Sequence, residues 1–261
     1  MDNEFAIKTY RYLRIAMIAV IIMLLAAVVF EWQNTGPDCW QSSLSAYYYT
    51  PVQSIFVGTL ITIGVCMVAL RGLTDIEDTF MNLGGLLAPV VALVPTPEPG
   101  GCRSMGEAVA TAPENIENNM IALFFAGLIG LVAAVITWLG QASRKMSQGV
   151  GIGVAAAVFI GGVIWFFADR DSFDRAAHYG AAIPLFVFII VVVFLNSRRR
   201  WRWRYLTIAI LMAGSGLVIG GIAFFGDWAH GVLVVEVTLI VLFAVFWVIQ
   251  TIERWNASPA E

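Results

Sequence analysis

His178, His230 and Glu236 are the side chains best suited to hold a metal ion or to move a proton in this 261-residue chain, because each stands within or at the edge of a long apolar run. Two imidazoles and a carboxylate, with Asp227 as a further oxygen ligand, suit zinc, yet no HxxxH or HExxH pair places two ligands on one helix face. Histidines on facing helices at equal depth would equally suit a b-type haem. The plainer expectation is that both histidines are boundary residues held by their neighbours and that no metal is bound. Glu236 is read as the only acidic residue well inside an apolar run. It follows His230 by six positions, which on a helix sets it about 240° around the axis, so the two do not share a face. Its carboxyl lies among Val234, Val235, Val237 and Leu239, where an unpaired charge is costly, and it is expected to be protonated or partnered.

Other chemistries lack their parts. The only lysines are Lys8 and Lys145, both in segments read as cytoplasmic, so no lysine is available for a retinal-type Schiff base inside a bundle. No GxxxxGK[ST] loop or GxSxG elbow occurs, and no CxxC or CxxCH. Cys39 and Cys102 fall in two outer loops and Cys66 within an apolar run. A Cys39–Cys102 disulfide is permitted by this placement, while Cys66 is expected to be packed and reduced.

These groups are carried by a chain that is 59% hydrophobic and only 13% charged, too apolar for a water-soluble surface. A hydrocarbon core of ~30 Å requires about 20 apolar helical residues. Windows of that length predict an all-α, polytopic transmembrane bundle, a single domain over 1–261. Its eight spans are expected near 12–30, 52–70, 80–95, 118–139, 149–168, 178–196, 205–226 and 230–250. With both termini in the cytoplasm, twelve of the fifteen basic residues fall inside and only Arg103, Arg170 and Arg175 outside. That bias holds loop by loop, as the positive-inside rule requires of a cell-membrane protein. Arg200, Arg202 and Arg204, alternating with Trp201 and Trp203, suit a lipid headgroup boundary, so membrane lipid is the expected partner and nucleic acid is not. Gly149, Gly153, Ala157 and Gly161 recur every four residues, as do Gly216 and Gly220, and are expected to let helices pack closely within the bundle. Residues 96–117, with Pro, Gly and four glutamates, including Glu98, are expected to form an irregular outer loop.

The densest stretch runs from Ser42 to Pro95: Ser-Ser-Leu-Ser-Ala-Tyr-Tyr-Tyr-Thr-Pro, then a span, then a shorter one interrupted by Gly84, Gly85 and Pro89. Short, broken spans line binding sites in transporters, although a kinked helix filled by its neighbours gives the same pattern. Ser43-Leu44-Ser45 before Tyr47-Tyr48, Phe56-Val57-Gly58, Arg71-Gly72, Asn82-Leu83 with Gly85, Val94-Pro95-Thr96, His178 and Glu236 together resemble a bacterial group of multi-pass membrane proteins defined as a domain of unknown function. That group is distantly similar to the fibroblast-growth-factor-receptor-activating, autophagy-modulator and Sfk membrane families. The resemblance covers about two thirds of the chain and implies six spans, mapping onto the first three and last three here, with 118–168 as an inserted helical pair. It implies no established activity. Tyr49 stands where the group carries a histidine and Gln53 where it carries an arginine, which removes two titratable groups.

The resulting expectation is a protein that binds or passes a lipid or small-molecule ligand from the outer side, lined by Ser45, Tyr48, Asn82, His178 and Glu236. A metal-dependent intramembrane hydrolase of the ceramidase-like kind would need a third histidine and a paired ligand. A structural or regulatory subunit would need neither.

Overall fold

Helix ends are marked by residues that satisfy loose backbone groups. Thr74 accepts a hydrogen bond from the Glu77 amide at 3.1 Å and opens a helix whose first turn holds Asp75, Glu77 and Asp78; such carboxylates complement the helix dipole. Asp169 does the same for Ser172 at 3.0 Å, and Gly36, at φ 107°, takes up the left-handed turn that closes the first helix. A computed structural model describes residues 2–36, 39–97, 102, 105–198, 201–226 and 228–255. Glu98, Arg103, Arg200 and Asp227 lie outside the described residues.

The order is α1 (Asp2–Thr35), a 3-10 helix (Ser45–Tyr49), α2 (Gln53–Ala69), α3 (Asp75–Leu93), α4 (Gly106–Leu139), α5 (Met146–Ala168), α6 (Arg170–Asn196), α7 (Arg202–Phe225) and α8 (Gly231–Glu253). Each expected span lies within or close to one of these helices, and the protein is an all-α polytopic bundle. Seven helices are long and apolar enough to cross a membrane by themselves, and α2, at 17 residues, is shorter. It too must cross: the Arg11 Nε–H donates to the Trp255 carbonyl, and its guanidinium lies 4.6 Å above the Trp255 ring. The first turns of α1 and the end of α8 therefore share one face, which demands an even number of crossings between them.

The outer loop expected over 96–117 is half helix. From Gly106 the chain is already in α4, because Ala108, Ala112, Ile116 and Met120 form an apolar stripe at four-residue spacing that buries against the bundle. Pro113 is accommodated within it. The main core draws on α1, the 3-10 helix, α2, α3, α6, α7 and α8, with Ala112 of α4 and nothing from α5. A second, smaller cluster joins Ile116, Met120 and Phe166 to Val94, Phe173 and Ala177.

Glycine sets the closest approach. A Cβ on Gly64 would meet the Gly85 carbonyl oxygen at 2.7 Å and one on Gly85 would meet Val68 at 2.6 Å, so α2 and α3 touch backbone to backbone. The glycine interruption is thus a filled contact, and α3 runs unbroken through Pro89. The four-residue stripes behave otherwise than expected. Gly149 packs on Trp138, but Gly153, Gly161, Gly216 and Gly220 face open space.

Candidate functional site

Three polar layers lie at different depths. At the end away from Arg11 and Trp255 the chain between α1 and α2 folds inward, and Ser43 to Thr50 are all buried. Non-helical backbone at such a place must be satisfied by protein. The Leu44 N–H donates to Glu236 Oε2 at 2.6 Å, and the Ser45 hydroxyl donates to Oε1 at 3.4 Å. The Ala46 N–H donates to Ser43 Oγ at 3.0 Å. From α8, the Leu233 N–H donates to the Ser42 carbonyl at 3.1 Å, and His230 Nδ1 lies 3.3 Å from the Gln41 carbonyl. Glu236 is therefore a cap supplied in trans to the buried 3-10 helix. Cys39 and Cys102 form a disulfide, Cα to Cα 5.3 Å, that ties this segment to the start of α4, and Cys66 is a buried free thiol.

The expected lining does not gather around one space. Ser45 and Glu236 meet. His178 lies in the third turn of α6; it is 1% exposed and its Nδ1–H donates to the Val94 carbonyl at 2.7 Å. Tyr49 donates to the neighbouring Thr96 carbonyl at 2.7 Å. Burial pushes the Tyr49 phenol up to about 12, with Tyr48 beside it adding to the rise. Burial also raises the Tyr48 phenol, opposed by hydrogen bonds with Gln53 and Asn115. Among the described residues no group of three or more His, Cys, Asp or Glu side chains converges as metal ligands would.

Asn82 lies elsewhere, on a groove of about 500 Å³ between α2 and α3 on one side and α4 and α5 on the other. Arg71, Asp75, Asp78, Gln141 and Gln148 line its end nearest the termini, and Leu83, Leu86, Gly127, Gly130, Ala155 and Phe159 line the deeper part. Asp75 is held by Ser147 at 2.8 Å and Lys145 at 3.5 Å; Asp78 accepts from the Gly72 N–H at 2.9 Å and from Asn82 at 3.2 Å. The buried Gln148 Oε1 has no hydrogen-bond partner. Sequence reasoning chose Asn82 but not its surroundings, since the parts of α4 and α5 that line the deeper groove, around 127–134 and 151–159, are apolar throughout.

A third layer escaped sequence reasoning altogether. Glu77 is 2% exposed, so Glu236 is not the only acidic residue inside the bundle. Asn196 donates to Glu77 Oε1 at 2.8 Å, Gln250 donates to Asn196 Oδ1 at 3.3 Å, and the Leu73 N–H donates to Glu77 Oε2 at 3.1 Å. Glu77 falls before the expected third span, and Asn196 and Gln250 are the last residues of the expected sixth and eighth. Their signal is the Thr74-to-Glu77 capping box, which starts α3 earlier than hydropathy does. No protein-family model, curated protein or solved structure matches this chain.

Proposed function

We propose that this multi-span membrane protein binds an amphiphile of the bilayer, headgroup toward Arg71, Asp78 and Gln148 and acyl chain along the glycine-lined groove. The observation that carries the reading is the groove's polarity. From Asp75 to Leu86 it follows α3 for eleven residues, about 16 Å, which is the depth of one leaflet's hydrocarbon. Its rim includes Val68 and Leu86, both exposed on the lipid-facing surface, so a lipid enters sideways without leaving the bilayer. Entry from the terminus-bearing leaflet has better support than the expected entry from outside, where Ser45, Tyr49 and His178 are bonded to the protein's own groups. We further propose that α4 and α5 are an insertion beside a six-helix scaffold, in keeping with the family resemblance; the near absence of both helices from the main core supports this.

Gly130 offers the test. It lines the groove, and a Cβ there meets nothing within 4 Å, so Gly130→Leu fills the space without a clash. Binding of a fluorescent phospholipid to the purified protein should weaken about tenfold, a loss of ~1.4 kcal/mol, with the unfolding midpoint unchanged. Equal affinity in the variant would reject the groove as the site.

A further inference from the structure

On the terminus-bearing face, Arg14 of α1 is 6% exposed, yet its side chain makes no hydrogen bond or ion pair with any described residue, and its Nε is wholly enclosed without a partner. Its neighbours are Tyr10, whose ring lies 5.9 Å from the guanidinium carbon, Tyr205, Glu77 and a second buried arginine, Arg254, which is 8% exposed. Each nearby carboxylate is engaged elsewhere: Glu77 by Asn196 and the Leu73 amide, Glu253 by the Tyr205 hydroxyl. Arg254 adds a repulsive positive charge beside Arg14, and a buried charge is stable only when paired.

We infer that Arg14, with Arg254 beside it, forms a binding site for a phosphate oxyanion at the terminus-bearing membrane boundary. A guanidinium carries five donors in a planar fork that matches two oxygens of a phosphate, which a lysine ammonium does not reproduce. Arg11, one turn before Arg14 on the same helix face, and the exposed Trp255 place the site where headgroup phosphates lie. The oxyanion comes from a phosphomonoester lipid headgroup or from phosphate in solution; the chemistry is shared. The site shares no residue with the groove, so it does not rest on the proposed amphiphile binding there.

The test is thermal unfolding of the purified full-length protein, titrated with inorganic phosphate, with glycerol 3-phosphate, and with mixed micelles of phosphatidic acid or of phosphatidylcholine with the same chains. Phosphatidic acid should raise the unfolding midpoint more than phosphatidylcholine does. Arg14→Lys, which keeps the charge and loses the fork, should weaken the effect about tenfold or more, while Arg202→Lys on the exposed surface leaves it unchanged. Saturation by inorganic phosphate or glycerol 3-phosphate alone assigns the soluble source, and a response to phosphatidic acid only assigns the lipid. Arg254→Lys serves as the second variant if Arg14→Lys does not insert. No stabilisation of the native protein by any phosphate probe, or equal stabilisation of Arg14→Lys and Arg202→Lys, would overturn the inference.

Discussion

The α2–α3 contact and the α4–α5 pair are both rich in glycine, and glycine acts in opposite ways in them. Between α2 and α3 it removes the only atoms that would hold two backbones apart, and Gly64, Gly84 and Gly85 each face a neighbour closer than a Cβ allows. In α4 and α5 it also opens space: Gly127, Gly149 and Gly151 sit against Phe159, Trp138 and Thr79, but Gly130, Gly153 and Gly161 face nothing, and the apolar windows of these helices are 6% buried against 44% in α3. Lipid tails are as apolar as leucine, so hydrophobicity alone does not drive helices together inside a bilayer, and close packing must be supplied by shape. Where glycine meets glycine the bundle is dense; where Gly130 meets a gap a groove remains.

The sharpest way to break this comparison is to add the same side chain in both places. Gly85→Val sets new atoms against Val68 and the Gly64 carbonyl and should cost about 3 kcal/mol or more, as overpacking of a tight core does. Gly153→Val, with open space before it, should change stability by no more than about 0.5 kcal/mol. Unfolding midpoints in detergent decide; equal losses would mean that the two regions are packed alike. Next in size is the disulfide, which joins residues 63 apart. Replacing Cys39 and Cys102 by Ser should cost about 2 to 4 kcal/mol, and lipid binding in the groove should be untouched if the outer end and the groove are independent.

Glu236→Ala leaves the Leu44 N–H and the Ser45 hydroxyl without their acceptor and should cost about 2 kcal/mol, the penalty of an unmet buried donor. Glu236→Gln, whose amide oxygen still accepts from Leu44, should cost about 1 kcal/mol. A Gln variant as unstable as the Ala variant would show that the carboxylate does more than cap. The smallest expected effect is at Tyr49. Removing its hydroxyl should cost about 1 kcal/mol near neutral pH, one hydrogen bond. Its phenol titrates higher when folded than its ordinary 10.0, at about 12, so its stabilising contribution is complete below pH 10 and disappears as pH rises toward 12. The native protein should therefore lose stability more steeply than Tyr49→Phe over that interval; parallel pH profiles would place Tyr49 outside the buried layer.

Eight apolar stretches and a loop-by-loop excess of arginine outlined the all-α bundle and its expected orientation, because the length and charge rules of a bilayer act on each segment separately. Glu236 was legible as a group needing a partner for the same reason: its cost is local. The identity of that partner was not, since Leu44 and Ser45 lie more than 190 residues away and reach it only when the chain before α2 folds inward. The start of α4 at Gly106 was hidden because a stripe of small and medium apolar residues among glutamates falls below any hydropathy window. Glu77, Asn196 and Gln250 looked like loop or boundary residues, and only the meeting of three helix ends made them a buried network. Glycine spacing was readable and its consequence was not: whether a missing Cβ makes a contact or a cavity depends on what stands opposite, and that is set by how distant helices cross.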